Sequence, residues 1–135
     1  MVAIMNRDLA DHFCRALTDK CRAALAEKIV RLPTTEEWDY ACKAGATTLY
    51  FSGDSENDLL RAAWTSSNSG NKLHQGGQKM PNAFWLYDML GNAREWTSDG
   101  WPRGGAFNSP GLYSDGFGSH STGFRVTISS PLDPK

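Results

Sequence analysis

RLPTTEEWDYACKAG, Arg31 to Gly45, is the stretch on which the fold turns. Thr34 and Glu37 stand three residues apart and form a capping box, with Glu36 and Glu37 in the first turn where the helix dipole favours acids. Gly45 falls where a C-terminal left-handed residue belongs. Trp38, Ala41 and Cys42 mark one apolar face. Upstream, Arg7 to about Lys28 reads as another helix. Asn6 is its N-cap, and Leu9, Phe13, Leu17, Cys21 and Leu25 recur every four residues as an apolar stripe. Downstream, the helical period stops.

TTLYFSG (47–53) reads as a short strand or extended segment, and Asp54–Leu60 as a turn of helix. TSSNSGNKLHQGGQKMPN (65–82) is loop by composition. FWLYDM (84–89) and GFRVTIS (123–129) are strand candidates, rich in β-formers and bounded by Gly and Asn. SPLDPK (130–135) is a tail. Helices first, then short strands and long loops, give an α+β domain.

The 135 residues favour one domain with a moderate core. A net charge of -1 makes no electrostatic case for nucleic acid or an anionic membrane. No apolar run approaches the roughly 20 residues of a membrane span. The first residues, MVAIMNRDLADHF, do not read as a signal peptide. Cytoplasm is the default expectation, and display by a carrier or on a virus particle needs no signal in this chain. Cys14, Cys21 and Cys42 are odd in number and form no CxxC, which favours a reducing compartment. They read as small buried hydrophobes.

The segment RGGAFNSPGLYSDGFGSHSTGFR runs from Arg103 to Arg125. Its middle, Ala106 to Thr122, carries one charge, Asp115, and shows neither a helical nor a strand period. A plain Gly/Ser loop is one reading. A contact surface carried on a rigid frame is the other.

Four motifs in order, RLPTTEEWDYACKAG, PNAFWLYDMLGNAREWTSD, RGG and GFRV, resemble the motif series of the formylglycine-generating-enzyme family, from Arg31 to Val126. In that series a Gly stands where this chain has Trp85. The resemblance implies a C-type-lectin-like fold: two helices, a small twisted antiparallel sheet and abundant loop. The family's enzymes oxidise a client cysteine with a copper-holding cysteine pair near the C-terminal motif. Arg103–Arg125 contains no cysteine, so the resemblance does not extend to that chemistry. A related iron branch uses several histidines. His12, His74 and His120 are scattered here without an HxxxH spacing.

The same fold serves as the variable protein of diversity-generating retroelements. There, adenines of a template repeat are randomised, and AAY codons never become Lys, Glu, Gln, Met or Trp. Those five types total 22 in this chain, and none lies between Ala106 and Thr122. The resemblance therefore implies a variable ligand-binding region within residues 101–125. Phe107, Leu112, Tyr113 and Phe117 would be its anchors. Asn108, Ser109, Ser114, Asp115, Ser119 and His120 would be its adaptable polar groups. This composition also suits antibody loops, and points to a protein ligand. Phe107 has burial as its alternative reading.

Family enzymes place calcium at positions matching Asp88, Gly91, Ala93 and Glu95. Carboxylates at the first and last of these and main-chain oxygens between them suit that ion. The alternative is that Asp88 and Glu95 accept hydrogen bonds from nearby amides. No motif requires any other cofactor. Relatives carry a strand before the first helix, so either the chain is a pared-down version or a sheet edge is left open, in which case assembly with copies or a larger partner is expected.

Overall fold

The computed structural model describes residues 6–110 and 122–131. Among the described residues the helices are α1 (Arg7–Lys20), α2 (Arg22–Leu25), α3 (Thr35–Lys43) and α4 (Glu56–Ala62). The short strands among them are β1 (Ile29–Arg31), β2 (Ala63–Trp64), β3 (Leu90–Gly91), β4 (Arg94–Glu95), β5 (Thr122–Gly123) and β6 (Thr127–Ser129). The class is α+β with much loop. Among the described residues the strands pair two by two rather than as one antiparallel sheet. β1–β6 is antiparallel, whereas β2–β3 and β4–β5 are parallel.

The helix starts follow local chemistry. Asn6 caps α1 through the Asp8 amide. Thr34 and Glu37 close the capping box of α3, and Ser55 and Asp58 close another on α4, which extends the helical turn expected there. The first helix breaks at Cys21 and ends one turn later, where Ala26 turns left-handed. At the end of α3 the left-handed cap is Ala44, with Gly45 following it at φ +84°.

α1 buries a face rotated one position from the expected stripe. Ala10 and Cys14 are buried, whereas Leu9 and Phe13 are exposed. Small residues let the helix lie close on β1, and the Thr18 hydroxyl reinforces this by accepting from the Val30 amide at 2.9 Å. Ala10, Cys14, Val30 and Leu32 form one core cluster, edged by Leu17, Leu25, Trp96 and Phe124. Phe13 meets the ring of Phe124 edge-on at 5.3 Å. The other cluster joins Trp38 and Cys42 of α3 to Leu59, Ala62, Ala63, Met89 and Leu90.

FWLYDM does not form a strand. Asn82, buried, takes over its backbone: the side-chain oxygen accepts from the Phe84 and Leu86 amides. Its amide group donates to the Ala41 and Cys42 carbonyls near the end of α3. TTLYFSG likewise closes into a turn, with Tyr50 bridging Gly53. GFRVTIS is split: residues 124–126 leave the strand between β5 and β6, and Val126 is exposed.

Candidate functional site

The buried turn Leu90–Trp96 organises everything around the Gly-rich segment. Gly91 comes so close to Trp64 that a Cβ there would collide with its main chain. Its amide donates to the Gly104 carbonyl at 2.6 Å. Asn92, buried at φ +62°, is a hub. Its amide donates to Trp64, its carbonyl accepts from the Phe107 amide, and its side chain pairs with both main-chain groups of His74 at 2.9 and 3.0 Å. Trp64 is stacked on His74 at 3.7 Å, and Lys79 lies 4.0 Å from the Trp64 ring centre. The 64–79 loop is thus braced against the turn.

Both ends of the segment Ala106–Thr122 are fastened to this turn. On the entry side, Arg103 exchanges two main-chain hydrogen bonds with Glu95, and its guanidinium grips Asp39 of α3. Ser69 Oγ then donates to the Phe107 carbonyl at 2.7 Å, and the Ser66 amide to the Ser109 carbonyl at 3.1 Å. On the exit side, Thr122 and Gly123 pair with Arg94 and Glu95, and the Trp96 amide donates to Gly123.

Ser109 is buried and holds its carbonyl to Ser66, so it belongs to the frame and not to an open face. Its short side chain and the inward turn at Ala106 put it there. Phe107 is half-buried and Asn108 exposed. Leu112, Tyr113, Ser114, Asp115, Phe117, Ser119 and His120 lie outside the described residues.

Asp88, Gly91, Ala93 and Glu95 do share one turn, but their groups are already committed. Glu95 receives the Trp38 indole at 2.7 Å and Arg125 at both carboxylate oxygens. Asp88 Oδ2 accepts from the Gly77 amide at 2.7 Å. A calcium ion would have to displace Arg125, a cation in the same place, so these residues as arranged do not fit the metal. Among the described residues no three His, Cys, Asp or Glu side chains gather as a metal cluster.

The Trp38–Glu95–Arg125 network was not read from the sequence. Its signal was present, since Glu95 and Arg125 are fixed letters of two motifs with no chemistry assigned to their pairing. No thiol hydrogen-bonds to this network among the described residues. Cys42 is buried on α3, where desolvation and the Asp39 and Glu95 charges push its pKa up to about 12. Burial also raises that of Cys14. No helix among the described residues is long and apolar enough to cross a membrane.

The family model of the sulfatase-modifying factor enzyme 1-like domain matches residues 1–128. The chain is similar to the formylglycine-generating enzyme of Mus musculus, 34% identical over 83 residues, which covers 53% of this chain and 22% of that one. Among solved structures it is similar to Treponema denticola variable protein 1, at 29% identity and a TM-score of 0.64, covering 77% of this chain and 49% of that one. It shares the fold of PvdO from Pseudomonas aeruginosa, at 23% identity and a TM-score of 0.73, covering 93% and 60%. The chain spans less than two thirds of each of these relatives.

Proposed function

This chain belongs to the sulfatase-modifying factor enzyme family, and from that premise we propose that it is a ligand-binding variable protein, not an oxidase. One observation carries the reading. Ala106–Thr122 is fastened at both ends to a single buried turn, and its residues are limited to the types that adenine randomisation of AAY codons can produce. A segment of changeable sequence cannot also be core, because cores are close-packed. It needs fixed ends on a frame that does not depend on it. Hydrogen bonds at 66–69, 91–96 and 103–104 supply such a frame mostly through the main chain. Likeness to a protein named a variable protein supports the same reading.

The ligand is proposed to be a protein, engaged by Phe107, Leu112, Tyr113 and Phe117 with Asn108, Ser114, Asp115, Ser119 and His120 around them. Rings and small polar groups give contact area at low entropic cost. Copies would associate through the β1–β6 pair, where Ile128 is exposed with Val126 just before it. Sedimentation at micromolar concentration tests that assembly, and a clean monomer counts against it.

The test of the main reading is genetic. Deep sequencing of the locus in a growing population should show substitutions at template adenines, confined to the codons of 106–122. A reverse transcriptase gene and a near-identical repeat should lie nearby. Variation spread evenly over the gene, with no repeat, would defeat the proposal. Family membership alone favours the second reading, an oxidase or its inactive remnant. Copper uptake with oxidation of a peptide cysteine would establish it.

A further inference from the structure

The loop 65–79 lies beside the start of the Gly-rich segment. The Ser66 amide donates to the Ser109 carbonyl at 3.1 Å, and Ser69 Oγ to the Phe107 carbonyl at 2.7 Å. These bonds set 66–69 alongside 107–109, so exposed Ser66 and Ser67 neighbour exposed Asn108. The loop is braced from behind. Asn68 accepts from the Thr65 amide and donates to the Leu60 and Ala63 carbonyls, and Asn92 holds both main-chain groups of His74. Gly70 and Asn71 turn left-handed in succession, at φ +63° and +57°, and the Asn71 amide folds back on Ser69 Oγ. On the outside, Ser66, Ser67, Asn71, Lys72 and Leu73 are exposed. Lys72, Gln75, Gln78 and Lys79 are types that randomised AAY codons never give, so the loop falls outside the changeable set.

The charge of this region has one sign. Residues 59–87 contain no Asp or Glu, in a chain that has 15 of them. Arg61 reaches Asp58 at 3.6 Å, and Lys79 is held by the Leu60 carbonyl at 2.6 Å and by the Trp64 ring. Lys72 makes no ion pair among the described residues. Hydroxyls, an amide and an ammonium thus face solvent with no carboxylate between them, an edge rich in hydrogen-bond donors.

Resting on the variable-protein reading, we propose that 66–72 is a constant wall of the ligand-binding face. It takes an acceptor-rich edge of the protein ligand, carboxylates and main-chain carbonyls, whatever sequence stands at 106–122. The wall supplies attraction common to all variants, through complementary charge that also speeds encounter. The changeable residues then supply discrimination, which is a difference between affinities.

The test displays the full chain on phage with NNY codons at 106–122, the products of randomised AAY. The library is panned against two proteins of one fold and opposite charge, acidic α-lactalbumin and basic lysozyme. Binders of α-lactalbumin with unrelated 106–122 sequences should all weaken about tenfold on Ser67→Ala/Lys72→Ala. Lys72→Glu should weaken them further and spare the lysozyme binders, a contrast that misfolding would not produce. Binders of α-lactalbumin that ignore these changes, or equal weakening of both sets by Lys72→Glu, would overturn the wall and leave the variable-protein reading standing. A library that yields no binder of either protein would defeat that reading, and the wall with it.

Discussion

Arg125 grips Glu95 at two points, Nε to Oε2 at 2.5 Å and Nη2 to Oε1 at 2.7 Å, and Glu95 is only 1% exposed. Burial opposes the charge on Arg125, but the hydrogen bonds and charge of Glu95 outweigh it and raise the guanidinium pKa above its usual value. The pair ties the exit of the Gly-rich segment to α3 through Trp38. Arg125→Met leaves a buried carboxylate without its cation and is expected to cost about 3–5 kcal/mol. Glu95→Leu/Arg125→Met together should cost much less than the sum of the single changes. Urea unfolding reads both. A single-variant loss below about 1 kcal/mol would mean that the pair is solvated.

Asn92 carries a second prediction. Asn92→Ala unpairs the amide and carbonyl of His74 and removes a residue suited to φ +62°. The expected loss is about 2–4 kcal/mol. Hydrogen exchange at His74 and Phe107 should quicken far more than at Trp38. Uniform quickening would show that Asn92 supports the whole fold and not this loop.

Residues acting through nearest neighbours were legible in the sequence. Thr34 with Glu37 gave α3, and Asn6 gave the start of α1. The buried face of α1 was misplaced because periodicity reports amphipathicity, while Ala10 and Cys14 are inside through the close approach of β1. FWLYDM has strand composition, but one side chain, Asn82, outbids sheet pairing for its amides. The frame of the candidate site joins residues dozens of positions apart, such as Ser69 to Phe107 and Glu95 to Arg125, and no local pattern encodes such pairings. Ser109 looked like a contact residue for the same reason.

Acid should weaken the tie between β1 and α3. The hydrogen bonds from Arg31 hold Glu37 at about 2, below its ordinary 4.5, so the folded state binds this proton less readily than the unfolded chain. The stabilisation is full above the ordinary value and fades as pH falls toward about 2. The pair is partly open to water, which limits it to on the order of 1 kcal/mol. Glu37→Gln should therefore be less stable than the parent at neutral pH and converge with it in acid. A gap unchanged by pH would show that the charge on Glu37 contributes nothing to stability.

Thiol reactivity should follow burial. Cys42, pushed up to about 12, carries almost no thiolate at neutral pH, and Cys14 is buried as well. Half-exposed Cys21 should take up the first equivalent of a maleimide in the native protein. Mass mapping after brief labelling checks this, and early labelling of Cys42 would reveal opening of the α3 core.

Calcium gives the last prediction. Glu95 can ligand a metal only by releasing Arg125 and the Trp38 indole, and Arg125 would then keep its charge beside the ion. Repulsion between two cations in a buried site opposes binding, and with Glu95 already neutralised by Arg125 only the Asp88 carboxylate remains to favour it. Melting temperature should therefore be the same in millimolar calcium as with a chelator, since a ligand that binds the native state would raise it. Arg125→Met removes the competing cation and leaves the carboxylate. If the turn retains any capacity for calcium, stabilisation by the metal should emerge in that variant and not in the parent. Calcium-dependent stabilisation of the parent would instead mean that the Glu95–Arg125 pair opens to admit the ion.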